Sequence, residues 1–134
     1  MKISFIKYQK NKEDMLKNSI SKAVATLEKG QTIHLVWGDR NSIRGQFYHD
    51  KYPYLNRPTI EKLMKSEKIA VHKGFITSTS LDSMSDIKDG DIVIDCFTGQ
   101  LYSSRFTNLS WLIHLPWLPH ESELLASRYE SLVA

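Results

Sequence analysis

The sequence predicts an α+β domain: a small mixed, mainly antiparallel β-sheet with two helices in its N-terminal half. Three observations predict it. Early in the chain, apolar residues recur at helical spacing through Leu16, Ile20, Ala23, Val24 and Leu27. After residue 69 they come in short runs such as Ile92-Val93-Ile94, bounded by Gly and Asp. The chain has 134 residues, 41% hydrophobic and 25% charged, which suits one globular domain with no need of a disulfide or metal staple. Helices first and strands later is an α+β order.

The elements follow in turn. Residues 1–8 alternate through Ile3, Phe5 and Tyr8 and read as a first strand. Asn11 can cap a helix over 12–29, and Gly30 is a left-handed stop. Thr32 to Trp37 is β-like, and Gly38 to Ser42 is turn chemistry. Residues 46–57 carry Phe47, Tyr48, Tyr52, Pro53 and Tyr54 without periodicity and read as a long connection. Pro58 and Thr59 open a second helix to about 67, with Ile60, Leu63 and Met64 inward. Strands are expected over 69–76, 91–97 and 110–115. Residues 100–107 should pair back on 91–97 as a hairpin, and Glu121 and Glu123 should stand at the mouth of a last strand.

Charge is uneven. Residues 1–80 hold fifteen Lys/Arg against seven Asp/Glu, a balance of +8; residues 81–134 hold three against eight, a balance of −5. A basic half suits phosphates or simply a solvated face. With no Arg-rich run and no RNA-binding aromatic motif, nucleic acid is not the expected partner. The lone Cys96, inside an apolar run, reads as a small core residue. No histidine is paired with a second His or Cys at ligand spacing, so no metal is expected. No apolar run approaches a membrane span, and Met1 to Lys10 has no secretory pattern, so the expected location is a cytoplasm, that of the producer or of an infected host.

Two stretches carry candidate chemistry. Lys73-Gly74-Phe75-Ile76-Thr77-Ser78-Thr79-Ser80-Leu81-Asp82 ends a strand in four hydroxyls, which can hold a carboxylate or a ribose. His120-Glu121-Ser122-Glu123-Leu124-Leu125 places two carboxylates two residues apart, on one face if the chain is extended. Alone, each is ordinary turn or surface chemistry. Together, in this order, they resemble the mono-ADP-ribosyltransferase family of the arginine–serine–glutamate type. Residues 74–81 are similar to its Gly-Phe-x-Ser-Thr-Ser-Leu, with one residue extra. Residues 121–125 are similar to its Glu-x-Glu-Val-Leu-Leu.

The resemblance implies a transferase that splits NAD and moves ADP-ribose to a side chain, usually arginine, of a target protein. It implies that Glu123 stabilises the ribosyl cation, that Glu121 steers the acceptor, and that Ser78 or Ser80 orients the glutamate. Phe75 and Thr79 fall in the NAD-binding stretch. Val36-Trp37-Gly38-Asp39 stands where the family has its early arginine, so Arg40 is expected to take the phosphates ahead of Arg44, or His34 fills the first motif as a histidine does in the polymerase-like branch. The 110–120 segment, with Trp111, Leu115 and Trp117, matches the target-recognising loop. A bare catalytic core would suit a bacterial effector or phage-borne protein. Two other readings stand beside it: a non-enzymatic inhibitor or binding module using the aromatic loops 46–57 and 110–120 on a partner, and a binder of an NAD-derived nucleotide.

Overall fold

The structure, a computed structural model, describes residues 2–38, 56–80, 85–99 and 108–133. Arg40, Arg44, most of the aromatic segment 46–57 and the expected hairpin strand 100–107 lie outside them. In chain order the elements are β1 (Lys2–Phe5), α1 (Lys12–Ala25), β2 (Thr32–Trp37), α2 (Arg57–Met64), β3 (Ile69–Val71), β4 (Gly74–Ser80), β5 (Ile92–Cys96), β6 (Trp111–Leu115) and α3 (Glu121–Val133).

The α+β class holds, but the sheet is not mainly antiparallel. Its six strands run in the order β1-β6-β5-β2-β4-β3. All neighbours are parallel except the β3–β4 hairpin. The physical sign is burial. Every residue of β2, β5 and β6 is buried, as expected of parallel strands covered on both faces.

Local chemistry sets the helices. The Asn11 side chain accepts from the Asp14 N–H at the start of α1, and Asn56 accepts from the Thr59 N–H at the start of α2. Each satisfies a backbone donor that the helix cannot. Met15, Leu16, Ile20 and Ala23 of α1, with Ile60 and Leu63 of α2, pack on Ile33, Leu35, Trp37, Ile92 and Ile94. Burying a large apolar side chain contributes about 1.5–3 kcal/mol, so this layer is the main source of stability. The opposite face joins Val36, Val93, Leu109 and Leu112 with Ile3 and Ile87.

The crossovers follow from these two layers. The connections from β1 to β2 and from β2 to β4 carry α1 and α2 on the first face. Those from β4 to β5 and β5 to β6 carry Ile87 and Leu109 on the second. The crossovers from the parallel neighbours β2 and β5 therefore leave on opposite faces and toward opposite edges of the sheet. In open parallel sheets, ligands favour the carboxyl side of such a switch point.

Two expectations at the element level are corrected. The predicted strand 69–76 is two strands, broken at His72, which has a positive φ of 44°. The hydroxyls 77–80 are the last four residues of β4, as a strand ending in them requires. The expected last strand is the helix α3. Glu121 and Glu123 occupy its first turn, where carboxylates complement the helix dipole. Ser122 and Leu125, three apart, are buried, while Leu124 is 62% exposed. That is a helical pattern, and it places the two glutamates on different sides of the helix.

Gly74 opens β4 for a steric reason. A Cβ there would lie 2.1 Å from the Gln31 carbonyl oxygen. That carbonyl accepts from the Phe75 N–H at 2.9 Å, which starts the β2–β4 pairing.

Candidate functional site

The register of the sheet assembles a buried relay. His34 on β2 lies opposite Thr77 on β4 and Val93 on β5. Its same-face diagonal neighbours are Thr79, two residues beyond Thr77, and Asp91, two before Val93. The His34 Nδ1 is 3.0 Å from the Thr79 hydroxyl, and Nε2 is 2.9 Å from Asp91 Oδ2. Asp91 is held in turn. Its Oδ1 accepts from the Thr32 N–H at 3.2 Å, and its Oδ2 accepts from the Lys88 N–H at 3.2 Å. Burial is the largest influence on His34 and lowers its pKa, against the raising effect of Asp91. The imidazole is therefore neutral at pH 7. With the Asp91 carboxylate accepting from Nε2–H, Nδ1 is the bare nitrogen, and Thr79 donates to it.

This relay lines a cavity of about 200 Å³. The β3 strand pairs β4 only over Gly74–Ile76, so among the described residues no strand pairs the edge of β4 beyond it. The cavity lies there, walled by Thr77, Ser78 and Thr79, by Ser66 and Lys68 from the α2–β3 connection, and by Asp86 and Lys88 from the β4–β5 connection. Thr77 donates its hydroxyl to the Glu67 carbonyl. The Ser78 Oγ is buried and finds no hydrogen-bond partner among the described residues. Two lysines, one aspartate and several hydroxyl residues thus wall a small space of mixed polar and apolar surface.

A second cluster lies at the carboxyl ends of β5 and β6. Asp95 and His114 are register partners. Asp95 Oδ2 is 2.6 Å from His114 Nδ1, and His114 Nε2 is 2.8 Å from Glu121 Oε2. Asp95 Oδ1 also accepts from the Thr98 N–H and hydroxyl, and Glu121 from the Trp117 N–H. Both imidazole nitrogens meet carboxylates, so the ring bridges the sheet to the first turn of α3.

The predicted site residues divide between these places. His34, Ser78 and Thr79 come together at the cavity, with Ser80 at the end of the same strand. Phe75 lies lower on β4, half-exposed, with the Lys68 ammonium 5.8 Å from its ring centroid. Glu121 belongs to the His114 cluster. Glu123 is exposed on α3, which packs on β1 at the far edge of the sheet. From β4 to β6 is three strand spacings, about 14 Å. The hydroxyls and the glutamates therefore do not line one cleft, as the strand reading of 121–125 had required.

Sequence reasoning missed Asp91, Lys68, Asp86 and Lys88 at the cavity, and Asp95 and His114 at the second cluster. For the last two a signal existed: each is a single polar residue inside an apolar strand run, Ile-Val-Ile-Asp-Cys and Trp-Leu-Ile-His-Leu. The lysines had none, because only the crossover from β4 to β5 brings them together. No family model matches this chain, nor does any curated protein or solved structure.

Proposed function

We propose that the domain binds a small oxoanion, phosphate or a phosphorylated small molecule, in the cavity beside β4. The observation that carries this reading is that Lys68 and Lys88 both line one space of about 200 Å³, together with Ser66, Thr77 and Thr79. Among the described residues neither lysine forms an ion pair. Neutral His34 adds no charge, and Asp86 supplies one acceptor. At neutral pH hydrogen phosphate carries an O–H that such an acceptor can take, whereas sulfate has none.

Size bears on the NAD expectation. Sites for drug-sized ligands begin near ~300 Å³, and this cavity is smaller, so the geometry favours a compact ligand over a dinucleotide. The ADP-ribosyl transfer implied by the motif resemblance needs the hydroxyls and Glu123 in one cleft and draws no support from their separation.

Calorimetric titration with inorganic phosphate tests the anion reading. Saturable binding is expected, with sulfate weaker. Lys88→Met should weaken it about tenfold to a hundredfold, the value of a charge-assisted hydrogen bond. Lys22→Met, on the exposed side of α1, should not. Equal, non-saturable heats with both anions would remove the reading.

A second reading concerns a protein partner. Trp117 is 42% exposed and Leu118 58% exposed, at the end of the 110–120 segment. Trp111 is buried instead, its indole N–H donating to the Ser4 hydroxyl. An exposed Trp on a firm base supports contact with another protein. Trp117 has that base, edge-on to Phe97 at 5.9 Å. Loss of a pulled-down partner in Trp117→Ala, with phosphate binding intact, would separate this surface from the cavity.

A further inference from the structure

We propose that Thr79 is an acyl-accepting nucleophile, with His34 as its base and Asp91 as the carboxylate that orients the base, and that the cavity hydrolyses small acyl phosphates. The proposal rests on the phosphate reading above and adds turnover to it.

The geometry is that of an acid–base relay. Asp91 accepts three hydrogen bonds: from the Thr32 N–H, from the Lys88 N–H and from His34 Nε2. That fixes the tautomer and leaves the Nδ1 lone pair toward the Thr79 hydroxyl at 3.0 Å. A carboxylate, an imidazole and a hydroxyl in this order generate an alkoxide-like nucleophile, whichever ring nitrogen faces the hydroxyl. Thr79 and His34 stand on adjacent strands of a parallel sheet, and Asp91 directly precedes β5. Rigid elements hold such geometry better than loops do. Burial keeps the imidazole neutral and able to take a proton. A relay that served the core alone would be sealed from the surface, yet both His34 and Thr79 line the space that Lys68 and Lys88 also wall.

An acyl phosphate uses both halves of this site. Its phosphoryl oxygens meet the ammonium groups, and its acyl carbon meets Thr79. The Thr79 Oγ forms a bond to the carbonyl carbon as its proton passes to His34 Nδ1. The bond from that carbon to the phosphate oxygen breaks, and phosphate leaves with the electron pair and takes the proton from His34. In the second step water gives a proton to Nδ1 and its oxygen bonds to the acyl carbon. The Thr79 Oγ then leaves and recovers the proton. The sum is acyl phosphate plus water giving a carboxylic acid and phosphate, with no change of oxidation state. The positive charge that develops on His34 is met by Asp91.

The probe is acetyl phosphate with the intact chain, followed by phosphate release and by mass spectrometry of acid-quenched peptides spanning residues 74–80. Catalysed release and a transient acetyl group on Thr79 are expected. Thr79→Val, which keeps the shape, should lower release at least a hundredfold, and by far more than it weakens phosphate binding. Thr79→Ser should restore most of the rate, and thermal melts check that each variant folds. If Thr79→Val hydrolyses acetyl phosphate like the wild type, or if the wild type binds phosphate and releases none from acetyl phosphate, the nucleophile is overturned and the binding reading stands. If neither compound binds, both fall together.

Discussion

At the residue scale, the buried histidines and aspartates are explained by their partners, and the glycine at the start of β4 by its neighbour. Gly74→Ala should destabilise the domain by about 1–3 kcal/mol, the usual cost of overpacking, because the contact at 2.1 Å is with backbone and cannot swing aside. Urea melts of the variant measure it; an unchanged midpoint would show that β4 shifts freely. Cys96 is buried in the main core, and burial raises its thiol pKa well above the ordinary range. It should resist iodoacetamide in the native protein and react only in denaturant, which intact-mass spectrometry reads directly. Its core role was legible from the apolar run around it. The hydroxyls at 77–80 and His34 were legible as a place of interest only through the order of the two motifs and the family they resemble. Their partner Asp91 was not, since an aspartate after a glycine also reads as a plain turn.

At the element scale, α1 and α2 were readable from caps and periodicity, and β2, β5 and β6 from their apolar runs. Strand direction was not. A fully apolar strand has no polar face to show whether helices cover both sides, and the order of elements alone favoured hairpins. The last helix was misread because Glu-x-Glu looks the same in a strand mouth as in a helical first turn. In the fold its docking is specific. Glu121 accepts from His114, and the Ser122 hydroxyl donates to the Ile6 carbonyl. Glu121→Ala should therefore loosen α3 by about 1–3 kcal/mol, the cost of leaving a buried donor unpaired. Amide exchange should rise in α3 and at Trp117, with β2, β4 and β5 still protected. Uniformly faster exchange would mean that the helix and sheet open as one unit. Removing Asp95 reaches deeper, since it is fully buried and serves both His114 and Thr98. Asp95→Ala should cost about 1–3 kcal/mol or more, as leaving buried hydrogen-bond donors unpaired does.

At the scale of the whole molecule, the buried imidazole of His34 ties stability to pH. Its pKa in the fold lies below the ordinary 6.5. The unfolded chain thus takes up a proton at higher pH than the fold does. Between the folded pKa and 6.5 the unfolded state binds more protons, so stability rises with pH across that window. The contribution is complete above 6.5 and is lost as pH falls. Denaturant melts from pH 7.5 down to about 5 should show this slope in the wild type and a flatter one in His34→Gln. The same slope in both would assign the acid sensitivity to the carboxylates instead.

The sheet order has one more consequence, for how the chain is made. Among the described strands β1 hydrogen-bonds only to β6, which begins 109 residues later at Trp111. Of these strands a ribosome delivers β1 first and its partner last. Until β6 emerges β1 lacks that partner, and β5, already made, waits with it for β6 to come between them. Closure is thus a late, long-range event, with a high contact order and slow folding to match. A chain cut before Trp111 leaves both edges open to strands of other molecules. Aggregation of such fragments, and their rescue by a separately added peptide covering 108–133, would mark β6 as the strand that seals the sheet.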